Sequence, residues 1–145
     1  MRVLSLLTLG FAVVLSACSC YIQLTAVGSL PGPITAQFPE ALRIERLLVE
    51  RLEHKGHWAR VWEASGSAKL SSITYGAVPQ GLRQLASPEP LRRKQIYHAM
   101  IQTPPSLFGP PCGGGVIFWI TADGQVRTCS SPTCERQLLS GKIPE

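Results

Sequence analysis

The stretch Val116-Ile117-Phe118-Trp119-Ile120 constrains this chain more than any other. Five consecutive β-branched or aromatic residues suit a pleated strand, and the run is too short for a buried helix. Asp123-Gly124 follows, the dipeptide most typical of a hairpin turn, and Val126 to Cys129 reads as the returning strand. With a two-residue turn, cross-strand partners sum to 247, so Phe118 faces Cys129.

The rest of the chain repeats this pattern of short apolar runs between breakers. It holds 13 glycines and 12 prolines in 145 residues, which leaves little room for long helices. Trp58-Ala59-Arg60-Val61-Trp62, Leu70 to Tyr75 and Ile96 to Gln102 are strand candidates. Ser65-Gly66-Ser67, Gly76 to Gly81 and Ser87-Pro88-Glu89-Pro90 read as turns or stops, and Thr103 to Gly115 as a long flexible loop with a Gly113-Gly114-Gly115 hinge. Residues 40–55 satisfy two patterns. Ala41, Ile44, Leu48 and Leu52 have helical spacing between Pro39 and Gly56, yet a strand from about Arg43 to Leu52, turning at His54-Lys55-Gly56, fits the β-rich surroundings better. Ser131-Pro132 supplies an N-cap and N1 for a short closing helix through Leu138-Leu139, stopped at Gly141. The expected fold is therefore mostly β, a small antiparallel sandwich with a short C-terminal helix.

The beginning of the chain has a different character. Met1-Arg2 is a positive start, and Val3 to Leu15 is apolar apart from Ser5, Thr8 and Gly10. This is the charged and hydrophobic part of an export signal, shorter than the ~20 residues of a membrane-spanning helix. Leu15-Ser16-Ala17-Cys18 resembles the lipobox of bacterial lipoproteins at all four positions. The resemblance implies a diacylglycerol thioether on Cys18, cleavage before it and acylation of the new amino group. Two or more acyl chains anchor a protein stably in a membrane. Ser19 rather than Asp after the cysteine favours the outer membrane, facing the periplasm. The expected organisation is a signal peptide at 1–17, a lipidated tether at 18–38 and a β-rich domain at 39–145.

Without the leader, 13 basic and 9 acidic residues remain, a balance of +4 that permits contact with anionic surfaces and does not suggest nucleic acid. Five cysteines in an exported chain indicate an oxidising compartment. With Cys18 lipidated, Cys20, Cys112, Cys129 and Cys134 remain to pair. The hairpin carries Cys129 back towards the Cys112 loop, which ranks Cys112–Cys134 first and Cys112–Cys129 second. Cys129 and Cys134 are also near enough in sequence to bridge each other. Cys20 reads either as a free thiol near the membrane or as a staple back to the domain.

Leu91 lies six residues before Tyr97, and Tyr97, Ala99 and Ile101 alternate. This resembles the start of strand F in fibronectin type III domains, whose tyrosine corner packs the phenol inward and bonds its hydroxyl to upstream backbone. Arg93 stands where that family usually has proline. The resemblance implies an Ig-like or fibronectin-like sandwich, a fold that hosts many unrelated functions.

Chemistry is sparse. His54 and His57 sit three apart with no further ligand type nearby, so they read as solvated turn residues rather than a metal site. His98 should point away from Tyr97, towards solvent. There is no nucleophile elbow, zinc-protease motif, paired carboxylate motif or phosphate loop. Arg92-Arg93-Lys94 is a basic knuckle suited to a solvated turn or to anionic lipid or polymer. These readings favour a binding or structural envelope module, with neither cofactor nor metal, partnered by the membrane and by an envelope protein or cell-wall polymer. The alternatives are an envelope enzyme whose groups meet only in three dimensions and a component of a secretion or assembly machine.

Overall fold

The computed structural model describes residues 20–107, 109–129 and 131–144. The leader and the lipobox, Cys18 included, lie outside the described residues. Among these residues eight strands, a single 3-10 turn and one α-helix follow in order: β1 (Tyr21–Gln23), β2 (Thr25–Gly28), β3 (Ile34–Leu52), the 3-10 turn (His54–Gly56), β4 (Trp58–Thr74), β5 (Leu82–Ala86), β6 (Gln95–Gln102), β7 (Gly113–Ile120), β8 (Val126–Thr128) and α1 (Pro132–Leu139). The protein is thus mostly β with a short C-terminal helix. Its strands run β1-β7-β6-β3-β4-β5, with β2 on β3 and β8 on β7.

The long antiparallel pair of β3 and β4 is the frame. Residues 40–52 form strand, and their imperfect alternation has a physical cause. The β3–β4 register shifts between Gln37 and Leu42, between Ile44 and Arg46, and between Val49 and Glu50. Across the second shift the buried residues step from Ile44 to Leu47, a three-residue interval that imitates a helix turn. Pro39, with no donor for the ladder, lies within the first shift. These bends let one pair of strands serve two layers. The first part of β3 takes β2 beside Thr35 and Ala36, and the last part takes β6 from Arg46 to Arg51. The sheet curls until Ser29, after β2, bridges Gln125, before β8, and Leu30 N donates to Gly124 O at 2.8 Å.

Inside the curl lies the main core, where Leu47, Val49, Trp62, Tyr97, Ala99, Phe118 and Ile120 meet Leu24, Ala26 and Ile34. Tyr97 and Phe118 are cross-strand partners whose rings stack 5.4 Å apart. A second cluster forms on the outer face, where Leu138 of α1 covers Leu52, Ile96 and Trp119. Ser131 caps α1 by accepting from Cys134 N at 3.3 Å, and Pro132 occupies its first turn.

Several local expectations change. The proposed tether is part of the sheet: β1, β2 and the start of β3 fall within residues 20–38, and Leu24, Ala26, Ile34 and Phe38 are buried. A three-residue strand carries no periodicity, and β1 pairs in parallel with β7, Tyr21 beside Gly113, through a partner 92 residues away. Ser65-Gly66-Ser67 is not a turn but runs through β4, with Gly66 (φ +152°) where β5 approaches so closely that a Cβ would lie 2.2 Å from Gly81 O. Gly113-Gly114-Gly115 opens β7 rather than forming a hinge, and a Cβ on Gly114 would lie 2.3 Å from Ile22 O. The β7–β8 partners sum to 246, with Phe118 beside Thr128, because Thr121 N bonds Gln125 O at 2.9 Å and closes a three-residue loop with Gly124 at φ +93°. That single step puts Thr128, not Cys129, opposite Phe118.

Candidate functional site

The two ends of the sheet differ sharply. At one end, the parallel register that sets Tyr21 beside Gly113 also sets Cys20 beside Cys112, and the two are bonded with Cα atoms 4.9 Å apart. Cys129 and Cys134 form the second disulfide, Cα atoms 5.5 Å apart, tying the end of β8 to α1. The expected Cys112–Cys134 and Cys112–Cys129 bridges do not form. The β7 edge beside Cys112 is occupied by β1, which brings Cys20 there instead. The loop from Thr103 to Pro111 leaves from this same end, its root held by Thr103 N donating to Cys112 O at 2.9 Å, and it carries Leu107 at 96 % exposure.

The opposite end carries a cleft of about 780 Å³ between the β3–β4 turn, the approach to β6 and the end of α1. Its position follows from the tyrosine corner. Tyr97 has no solvent exposure, and its hydroxyl accepts from Arg92 N at 2.7 Å. Two residues on, Lys94 N donates to Ile120 O at 2.7 Å, with Lys94 in the left-handed region at φ 54°. It is the one non-glycine residue with positive φ among those described. The Gln95 side chain bonds Leu52 O and joins the knuckle to the end of β3. Leu91 packs partly buried against the main core. These ties divide the basic knuckle. Arg92 and Lys94 line the cleft, whereas Arg93 turns to the β7–β8 loop, its Nε 3.4 Å from where a Gly124 Cβ would be.

Arg51 lies at the back of the cleft, 9 % exposed, with ion pairs to Glu53 and Glu89 at 2.8 Å each. The hydrogen bond it donates to Glu53, then that to Glu89, raises its pKa further, so its charge is permanent and already matched. Arg92 and Lys94 pair with no described carboxylate. His54 adds an imidazole to the lining, and Ile96, Leu139 and Ile143 are among its apolar members. The arrangement is a cleft lined by cations with apolar side chains among them. The sequence showed the basic knuckle and the corner but not their meeting with Arg51 and His54, which depends on the β3–β6 register.

No group of three metal-binding side chains occurs among the described residues, and His54 and His57 are exposed. Glu63 is 3 % exposed. Burial pulls its pKa upward, but the hydrogen bonds from Arg60 and Arg46 outweigh it, and the carboxyl is held below its usual range. A carboxylate so matched is a structural ion rather than a proton donor. His98 departs from the solvated position expected of it. α1 packs on the outer face of β6 at Ile96, and His98 lies 5.6 Å from Trp58, ring centre to ring centre, in a hollow of about 530 Å³ that also holds Tyr21, Ser131 and Glu135. Burial lowers its pKa.

Compared with known proteins, the chain matches no family model, no curated protein and no solved structure.

Proposed function

We propose that this chain is a lipid-anchored bacterial envelope protein, in the outer membrane and facing the periplasm, that acts as a binding or structural module without catalysis. The observation that carries the reading is the Cys20–Cys112 bond. Cys18 precedes Cys20 by two residues, a reach of at most about 7 Å. A lipid on Cys18 is therefore held against one end of the sheet, with exposed Leu107 on the same end. The basic cleft is at the other end of β6, eight residues and about 24 Å away, and faces outward from the membrane. This geometry suits a domain that presents a surface to a neighbouring envelope protein, an assembly machine or cell-wall polymer. The corner at Leu91 and Tyr97 supports a fibronectin-like sandwich, while the parallel β1 and the strands shared by both layers depart from that pattern.

Metabolic labelling with a fatty acid tests the anchor. The wild-type chain takes up label and Cys18→Ser loses both label and membrane retention; label that persists in Cys18→Ser refutes the reading. The His98 hollow favours the enzymatic alternative. Alanine substitution at His98, His54 and His57 with no change in the phenotype of a deletion strain would count against it.

A further inference from the structure

We propose that the cleft lined by Arg51, His54, Arg92 and Lys94 binds an acidic glycan, a polymer whose sugar rings carry carboxylates at intervals. Its presentation towards a cell wall rests on the anchored reading above; the site itself does not.

Four observations converge on this ligand. The volume of about 780 Å³ falls within the range of small-molecule sites and is large enough for several sugar rings. The cations come from separate backbone positions. Arg92 and Lys94 are two residues apart, at most about 7 Å along the backbone, with the His54 imidazole on the facing turn. A single phosphate is best held by donors that converge on one point, whereas a row of separated cations matches single negative charges spaced along a polymer. Apolar side chains lie among the cations, with Leu139 45 % exposed and Ile143 half-buried, able to meet the C–H faces of sugar rings. An acidic peptide has charge spacing but no such rings. Glu53, already tied to Arg51, leaves one carboxylate on the rim to accept from sugar hydroxyls.

The fourth observation is the backbone of Lys94. A left-handed conformation at φ 54° is unfavourable for a lysine and is met readily by glycine. The position would be more stable as glycine, yet the chain places a long cation there, in the lining of the cleft. Strain of this kind gathers at sites where function holds the side chain in place.

The test uses the purified full-length protein, with polygalacturonate as probe and neutral dextran and polyglutamate as comparisons. Wild type binds polygalacturonate in a salt-sensitive manner and ignores dextran. Arg92→Gln combined with Lys94→Gln weakens binding roughly tenfold, the sum expected of two exposed charge contacts. Arg83→Gln, an exposed cation on β5 away from the cleft, leaves binding unchanged. Lys94→Gly separates site from fold: its melting midpoint rises by about 3 °C while its affinity falls as in Lys94→Gln. Failure of wild type to bind polygalacturonate overturns the proposal, as does equal weakening by Arg83→Gln. Polyglutamate bound equally well and lost with the same variants would make the ligand an acidic peptide and overturn the glycan assignment. Loss of fatty-acid labelling in wild type, with these affinities intact, would refute the anchor alone.

Discussion

Removing the two disulfides separately should have very unequal effects. In the chain-entropy account, a crosslink stabilises by restricting the unfolded chain, with a dependence on the logarithm of loop length. Cys20–Cys112 spans 92 residues and Cys129–Cys134 spans 5. The corresponding contributions are about 4.6 and about 2.1 kcal/mol at 25 °C, a difference of about 2.5 kcal/mol. A domain of this size has a total stability on the order of 5–15 kcal/mol, so losing the first bond brings it near the unfolding threshold. The structure adds a local reason in the same direction. β1 is a three-residue edge strand whose position against Gly113–Gly115 depends on the adjoining bond. Each pair is replaced by serines, Cys20→Ser with Cys112→Ser and Cys129→Ser with Cys134→Ser, so that no stray thiol remains. Urea unfolding followed by tryptophan fluorescence gives the free energies by linear extrapolation. A Cys20/Cys112 variant that loses no more stability than the Cys129/Cys134 variant would refute the reasoning.

Other consequences follow from particular contacts. His98 titrates below its unfolded value because burial disfavours the cation, so its contribution is complete above about pH 6.5 and is lost as the pH falls through the folded pKa. Stability measured by urea titration should drop between pH 7 and pH 5, and His98→Gln should flatten that slope; an unchanged slope would show that other groups produce it. Gly114→Ala should cost about 2–3 kcal/mol, because its Cβ meets Ile22 O at 2.3 Å and pushes β1 off β7. A variant as stable as wild type would mean the close approach does not exist. Tyr97→Phe should cost about 1 kcal/mol through loss of the acceptor for Arg92 N, and should also loosen the knuckle, seen as faster amide exchange at Arg92. Unaltered exchange there would remove the link between corner and cleft.

Much of the architecture is local and could be read residue by residue. Strand propensity in Val116–Ile120, the turn at Asp123-Gly124 and the Ser131-Pro132 cap each act within a few residues, and each lies in the structure where the sequence indicates an element. So does the corner geometry, since Tyr97 reaches only five residues back to Arg92. The predominance of strand and the short closing helix follow from these preferences, as does the basic character of Arg92-Arg93-Lys94. Even Cys20, Cys112, Cys129 and Cys134 were legible as a disulfide set, though not their partners.

What the sequence could not determine are the quantities set by register and by distant partners. Cys20 pairs with Cys112 only because β1 lies parallel to β7, and a parallel partner so far along the chain leaves no periodic trace. The hairpin register moved by one residue on a single bond, Thr121 N to Gln125 O, and with it the side of the sheet that Cys129 faces. His98 is covered because α1 folds back over the outer face, which strand alternation alone cannot anticipate. The cleft, finally, is assembled by β3 lying against β6, which brings Arg51 and His54 to Arg92 and Lys94. Local propensity chooses the elements; close packing of the whole chain chooses which of their faces and ends meet, and the candidate site belongs to the second choice.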